Sequence, residues 1–365
     1  MWSMHQTLSR YLARTYGLNL LGMSAILLGI VLLFDTVELL RRAGKHGDVP
    51  LGTVLEMGLL KLPEMSAILM PFSVLFSALF TFWQLGRRQE LVILRAAGVS
   101  VWQFLAPFLL VSATVGVLMV GLVNPLGSVF YSYFNTLEKK YLDRESATIA
   151  VFDEGLWLKQ DTKDGYAILH SGDIEVPSWT LREVMVLFFN EREEFSGRID
   201  AVSAALKPGN WLLQNVVETK QGENPKREKT FLLPTTLTTN QIEDSFSSPQ
   251  TMGFWSLPSF IGTLESTGFD STKLRIHFQS LLSQPLLYAA MVFLAACVAL
   301  RPQRQGGTFL FIAGGVLIGF LMFFMSNFLL AMGGSHQIPV FLAAWSPALI
   351  SSLTGIAVLL TLEDG

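Results

Sequence analysis

Two short stretches carry residue types and spacings that point to chemistry. In Arg41-Arg42-Ala43-Gly44-Lys45, cations crowd the end of an apolar run, where they can meet anionic headgroups at an outer bilayer surface. The competing reading is that long cationic side chains snorkel there from a helix end. In the second stretch Arg87, Arg88 and Glu90 open a segment ending at Gly98. At helical period Leu91, Leu94 and Arg95 share one face, Val92 and Ala96 flank it, and Gly98 supplies a C-terminal stop. Such a short amphipathic helix either docks in a groove on a partner protein or lies on the headgroups. Periodicity does not separate the two.

Elsewhere the chemistry is thin. His170 and the acids Asp153, Glu154, Asp161 and Asp164 are scattered, and no G-x-S-x-G, H-E-x-x-H or C-x-x-C occurs. His277 opens an apolar run and His336 sits in a short loop, so surface or packing roles are expected for each histidine. Cys297 is the one cysteine and lies inside an apolar run. That excludes an intrachain disulfide and a multi-cysteine metal site, and it reads as a small buried residue. There is no G-x-x-x-x-G-K-[ST] phosphate loop. No cofactor is expected in this chain, and any ATP must be hydrolysed by another subunit.

The elements that must position these stretches follow from composition. Hydrophobic residues make up 51% of the chain and charged ones 15%, against about 25% charged in soluble domains. The net charge of −3 gives no global basic field for nucleic acid. A hydrocarbon core about 30 Å thick takes roughly 20 apolar residues per helix. Six segments come near that length: Leu18–Leu40, Met65–Leu85, Val101–Leu122 (continuing as helix toward Tyr141), Ile276–Leu300, Thr308–Ala331 and Pro339–Leu360. The first lacks the short apolar core and small-residue cleavage site of a signal peptide, so it is expected to stay as a span. With the amino terminus in the cytoplasm, Arg10, Arg14, Arg87, Arg88, Arg95, Arg301 and Arg304 lie inside. Arg41, Arg42, Lys45 and Lys61 then occupy the short loops outside. This excess of inner cations favours both termini inside and the polar middle outside.

That middle, from about Ala147 to Leu237, reads as β: short runs of β-branched and aromatic residues broken by Gly, Asp, Asn and Pro. Examples are Gly155–Lys159, Tyr166–His170, Val184–Phe189, Arg198–Leu206, Trp211–Val217 and Thr230–Leu233. Their spacing suggests a sandwich or jelly roll. Ser256-Leu257-Pro258 starts a helix by its capping residue and early proline. The expected fold is thus a six-span α-helical membrane protein with an all-β, jelly-roll-like domain outside the inner face. Residues 1–142 form the first membrane half, with the short amphipathic helix near 87–98. Residues 143–270 form the β domain, with a connecting helix near 256–267, and 271–365 form the second membrane half.

This layout resembles the permeases of the bacterial lipopolysaccharide exporter, the LptF/LptG (YjgP/YjgQ) family, over essentially the full length. Arg88-x-Glu90-Leu91 followed by Ala97-Gly98 is similar to the family's coupling helix. Gly155-Leu156-Trp157-Leu158-Lys159, Gln284-Pro285-Leu286 and Ile338-Pro339 are similar to its G-type branch. The resemblance implies a heterodimer with a paralogous permease subunit, seated on two cytoplasmic ATPase subunits in the bacterial inner membrane. It implies extraction of lipopolysaccharide from that membrane and transfer to a periplasmic jelly-roll protein. Arg88, Glu90, Leu91, Ala97 and Gly98 would couple to the ATPase, with Glu90 the acid that meets it. Arg41 and Arg42, with Lys45, would contact lipid phosphates. The chain departs from the family in having Asp35 and Glu64 where members often carry further basic residues. Lys139, Lys140 and Arg144 are candidates to substitute, which bears on the headgroup recognised.

Two other classes compete. A permease of another ABC-type lipid or lipoprotein machine more often has four spans. A membrane-anchored sensor or assembly protein with a ligand-binding β domain would need no ATPase.

Overall fold

Lipid offers no hydrogen bonds, so apolar stretches of this length satisfy their backbone only as helices. The computed structural model describes residues 2–46, 49–142, 148–152, 155–162, 165–175, 180–190, 194–220, 225–235, 249–266, 270–299 and 308–363. Its helices are α1 (Trp2–His46), α2 (Leu51–Leu60), α3 (Leu62–Arg87), α4 (Glu90–Ala96), α5 (Val101–Leu118) and α6 (Asn124–Tyr141). After the β strands come α7 (Leu257–Ser266), α8 (Thr272–Ala299), α9 (Thr308–Gly334) and α10 (Val340–Glu363). Among the described residues six helical segments are long and apolar enough to cross a membrane, as expected. Several run well past the apolar windows. The 45 residues of α1 extend roughly 67 Å at 1.5 Å per residue, more than twice a ~30 Å hydrocarbon core. The second span gains α2, separated from α3 at Lys61, just before Pro63. The third runs from Val101 to Tyr141 through a π-helical turn at Met119–Val123.

The chain divides into two compact units. One comprises Met1–Leu137, Pro249–Ile261 and Thr272–Gly365, and the other Glu138–Ser248 and Gly262–Ser271. In the helical unit Tyr16, Phe82, Phe104 and Phe108 interlock at ring-centroid distances of 4.8–5.6 Å. Tyr16 and Ser112 share a buried hydrogen bond of 2.8 Å. In lipid, helices associate by close packing and small residues more than by hydrophobic expulsion. Gly116 against Pro285, Gly315 against Leu79 and Gly355 against Phe293 are such close approaches. Cys297 is buried, and its thiol donates to the Gly355 carbonyl at 3.3 Å.

Among the described residues the β unit holds seven strands: β1 (Thr148–Phe152), β2 (Gly155–Thr162), β3 (Gly165–Glu175), β4 (Thr180–Asn190), β5 (Phe195–Lys207), β6 (Asn210–Lys220) and β7 (Lys226–Pro234). They form one antiparallel sheet in chain order, a meander without crossovers. The Gln160 amide of β2 nonetheless donates to the Pro234 carbonyl at the end of β7 at 3.0 Å. In a flat sheet those strands would stand roughly 24 Å apart, at about 4.8 Å per strand. The sheet therefore curls onto itself and encloses one face. Leu158, Leu169, Val186, Ile199, Trp211 and Leu213 fill that face.

A line of irregularity accompanies the curl. Burial alternates along β4, β5 and β6, then slips to a gap of three: Leu181 to Val184, Ala201 to Ala204, Leu213 to Val216. The slips lie beside one another in register, across Glu183, Val202 and Asn215. Glu183 and Asn215 there take left-handed φ of 53°. The pairings keep one register across these positions, so the pleat is interrupted in all three strands together and the row bends the sheet as a whole.

Candidate functional site

The basic cluster occupies the last turns of α1. Positions 38, 41, 42 and 45 fall on one side of that helix by i+3/i+4 spacing, and cations there also complement the helix dipole. Arg41 is engaged by its own helix: its Nε donates to one Glu38 oxygen at 2.8 Å and its Nη2 to the other at 2.6 Å. A phosphate reaching Arg41 must therefore compete with a bidentate carboxylate. Arg41 and Lys45 are exposed, and Arg42 is half-buried.

One turn deeper lies a second charged group that sequence spacing does not reveal. Lys61, at the break between α2 and α3, pairs with Asp35 of α1 at 2.6 Å, both side chains less than a fifth exposed. Lys61 also stands 5.1 Å over the Phe134 ring of α6. Glu64 is within electrostatic reach of both Asp35 and Lys61. One oxygen of Asp35 and one of Glu64 are buried without a hydrogen-bond partner among the described residues. Lys61 is thus not a spare cation for a lipid; it holds Asp35 at a helix junction, with Glu64 within electrostatic reach. Breaking such a group by removing its single cation is costly. Lys61→Ala should destabilise the protein by about 3 kcal/mol, whereas Asp35→Ala leaves Lys61 with Glu64 still within electrostatic reach and should cost about 1 kcal/mol. Thermal melting in detergent reads the difference, and equal losses would contradict this account. Lys140 stacks over Tyr141 at 5.1 Å; the Lys139 side chain and Arg144 lie outside the described residues.

At the other end of α1, about 45 Å away by helical rise, sits α4. Two left-handed residues bound it, Gln89 at φ 60° and Gly98 at φ 78°. Its end closes as a Schellman turn, with the Val99 N–H on the Leu94 carbonyl at 3.1 Å. Ser100 and Gln103 then form a capping box that starts α5. The short helix is therefore fixed to the spans on both sides. Leu91 and Leu94 pack against the core of the spans, while Val92 and Ile93 are 65% and 64% exposed. The apolar surface offered outward is thus that of Val92 and Ile93, with Ala96 and Ala97 beside them, rather than that of Leu91. Arg87 lies over the Trp83 ring at 5.3 Å. Arg88 approaches Glu90 at 3.9 Å. The Tyr11 hydroxyl donates to the Glu90 carboxylate at 3.1 and 3.3 Å, a contact that spacing along the chain does not announce.

The histidines and the described acids of the β unit do not converge. His170 packs on Trp157, ring centroids 4.2 Å apart, and His336 turns a loop at φ 58°. Asp153, Glu154 and Asp164 lie outside the described residues. Among the described residues no three His, Cys, Asp or Glu side chains are grouped to hold a metal.

The faces the helical unit leaves bare complete the picture. In the most apolar window of α1 only 6% of residues are buried, and 17% in that of α9, against 33–61% in the other four spans. Leu18, Leu21, Leu33 and Phe34 of α1, and Phe320, Leu321, Phe324 and Phe328 of α9, are among the exposed side chains.

Comparison with known proteins gives a consistent result. A family model described as lipopolysaccharide export system permease LptF/LptG matches residues 10–361. The lipopolysaccharide export system permease protein LptG of Escherichia coli K12 is 23% identical over 355 residues, covering 93% of this chain and 94% of that protein. The protein of the same name from Haemophilus influenzae is 21% identical over 360 residues, covering 95% and 96%.

Proposed function

Since the chain belongs to the LptF/LptG family of lipopolysaccharide export permeases, we propose that it works as one half of a heterodimeric permease driven by two cytoplasmic ATPase subunits. It draws lipopolysaccharide from the inner membrane and hands it to a periplasmic jelly-roll protein. The observation that carries this reading is the pair of nearly bare spans, α1 and α9. Paired with the same faces of a paralogous subunit, they would wall an apolar cavity for acyl chains.

The physical problem is lifting those chains out of the bilayer. At about 0.8 kcal/mol per buried CH₂, one acyl chain of ordinary length costs roughly 10 kcal/mol to expose. Thermal motion does not supply this, so an apolar receiving surface and an energy source are both needed. The cavity and the enclosed face of the β sheet are the receiving surfaces. ATP hydrolysis belongs to the partner beneath α4, whose Val92 and Ile93 fit an apolar groove while Glu90 meets a cation. The arginine distribution supports an orientation with α4 and both termini on the cytoplasmic side and the β unit in the periplasm.

Arg41, Arg42 and Lys45 hold lipid phosphates at the outer rim of the cavity, against competition from Glu38. Opposite changes should therefore have opposite effects. Replacing Arg41 and Arg42 together by alanine should lower the lipopolysaccharide that copurifies at least threefold. Glu38→Gln should raise it, by up to about fivefold for an exposed pair. A fall in the second variant would mean that Glu38 positions Arg41 instead of occupying it.

The reading as a whole is tested by purification in mild detergent, with mass spectrometry of proteins and lipid. Lipopolysaccharide, a paralogous permease and an ATPase in twofold excess are expected. A chain that purifies with none of these would favour the anchored-sensor alternative.

A further inference from the structure

The third span is broken where the chain has repaired it from a distance. In an α-helix the N–H of each residue bonds the carbonyl four positions back. Pro125 has no N–H, so the backbone ladder is interrupted just after Gly121. The preceding π-helical turn, Met119–Val123, widens the break, and the Asn124 N–H reaches back to Met119. The indole N–H of Trp255 donates to the Gly121 carbonyl at 3.1 Å. It supplies a donor to a carbonyl within the break. The next residue back makes a second tie, the Phe254 backbone N–H to Asn124 Oδ1 at 2.8 Å. Gly253 makes the approach possible, because a Cβ there would come within 3.2 Å of Pro125 Cα and of Ser128 Oγ. Phe254 stacks on Phe278 of α8 at 5.4 Å and 17°.

Core packing does not explain Trp255, whose residue is 71% exposed. A π-helical turn next to a proline is a natural bending point. The chain runs toward the β strands through α6, and residues 249–256 lie on its return to the spans. Both connections are thus cross-tied at one level of span three.

We propose that Trp255 and Asn124 are positioning residues for lipid export. They close the break in span three so that a movement started at α4 passes through α5 into α6 and the returning loop together. Without the tie, span three bends at the break and the movement is lost. This inference rests on the export reading above.

The test uses the full chain with its partner subunits in liposomes containing lipopolysaccharide. It reads ATP-driven release to a soluble acceptor together with ATP hydrolysis. Absence of release by the wild type would strike the export reading itself, not this inference. Given wild-type release, Trp255→Phe keeps an aromatic ring and removes the donor. Lipid released per ATP should fall roughly fivefold, the weight of one hydrogen bond, while hydrolysis stays within twofold. Pro125→Ala returns a backbone N–H to the break, so W255F added to P125A should cause a smaller loss than it does in the wild-type background. An equal loss in both backgrounds, or wild-type coupling in W255F, overturns the proposal. So does normal coupling in W255F with failure in W255A, which would make the ring an interfacial anchor. If P125A does not accumulate, hydrogen–deuterium exchange on W255F decides. Amides of residues 121–128 should exchange faster than in the wild type while those of 104–112 do not, and unchanged exchange at 121–128 refutes the tie.

Discussion

Glu90→Ala is expected to abolish stable association with the ATPase subunits and to cut export by more than tenfold, while the fold of the chain is preserved. Glu90 opens α4, and its carboxylate is held by the Tyr11 hydroxyl instead of by a cation buried in this chain. It is therefore positioned yet available. Truncating one side of a hydrogen-bonded charge pair at an interface costs about 2–5 kcal/mol, more than losing the single exposed hydroxyl donor of Tyr11. Tyr11→Phe should consequently be mild, lowering export about threefold by freeing the carboxylate to wander. Copurified ATPase and export in cells measure both variants, with thermal melting as the control for folding. Wild-type ATPase retention in E90A would remove Glu90 from the coupling role. A Y11F variant as defective as E90A would shift that role to the tyrosine.

The second large effect is expected inside the helical unit, at Gly116. A Cβ built there would lie 2.5 Å from Pro285 Cα and 3.0 Å from Pro285 N. These are backbone atoms of a neighbouring span and cannot rotate away. Gly116→Ala must push α5 and α8 apart, a destabilisation of about 3 kcal/mol, and Gly116→Leu should prevent the protein from accumulating. The contrast is Gly262→Ala in α7, where a Cβ meets nothing within 4 Å. There alanine should be neutral or stabilising by about 0.5 kcal/mol through helix propensity. Membrane yield and melting temperature separate the cases. A G116A protein that melts like the wild type would show that α5 and α8 are not in that contact.

What was legible in the residues, and what was not, divides along physical lines. Unbroken apolar runs announce spans because the bilayer demands length and composition together, and β-branched runs between Gly and Pro announce strands. The extra helix α2 escaped notice because Leu51–Leu60 is too short to cross a membrane and has no polar face to mark its period. The curl of the sheet is partly written in sequence, as apolar pairs three apart: Leu181 and Val184, Ala201 and Ala204, Leu213 and Val216. Recognising them as one row requires the strand register. The basic cluster at Arg41 was visible, but its partial neutralisation by Glu38 depends on a rotamer. Lys61 read as an outer-loop cation, whereas helix packing delivers it to Asp35, 26 positions earlier. The Tyr11–Glu90 and Trp255–Gly121 contacts span 79 and 134 positions. No local pattern encodes such pairs; the topology of the spans brings them together.

The most direct measurement of the central claim is ATP-dependent loss of lipopolysaccharide from liposomes carrying the purified assembly. With this chain present, lipopolysaccharide should pass to a soluble acceptor only when ATP is hydrolysed, and omission of the chain should stop transfer although the ATPase remains. Transfer that proceeds equally without the chain, or without ATP, would contradict the account.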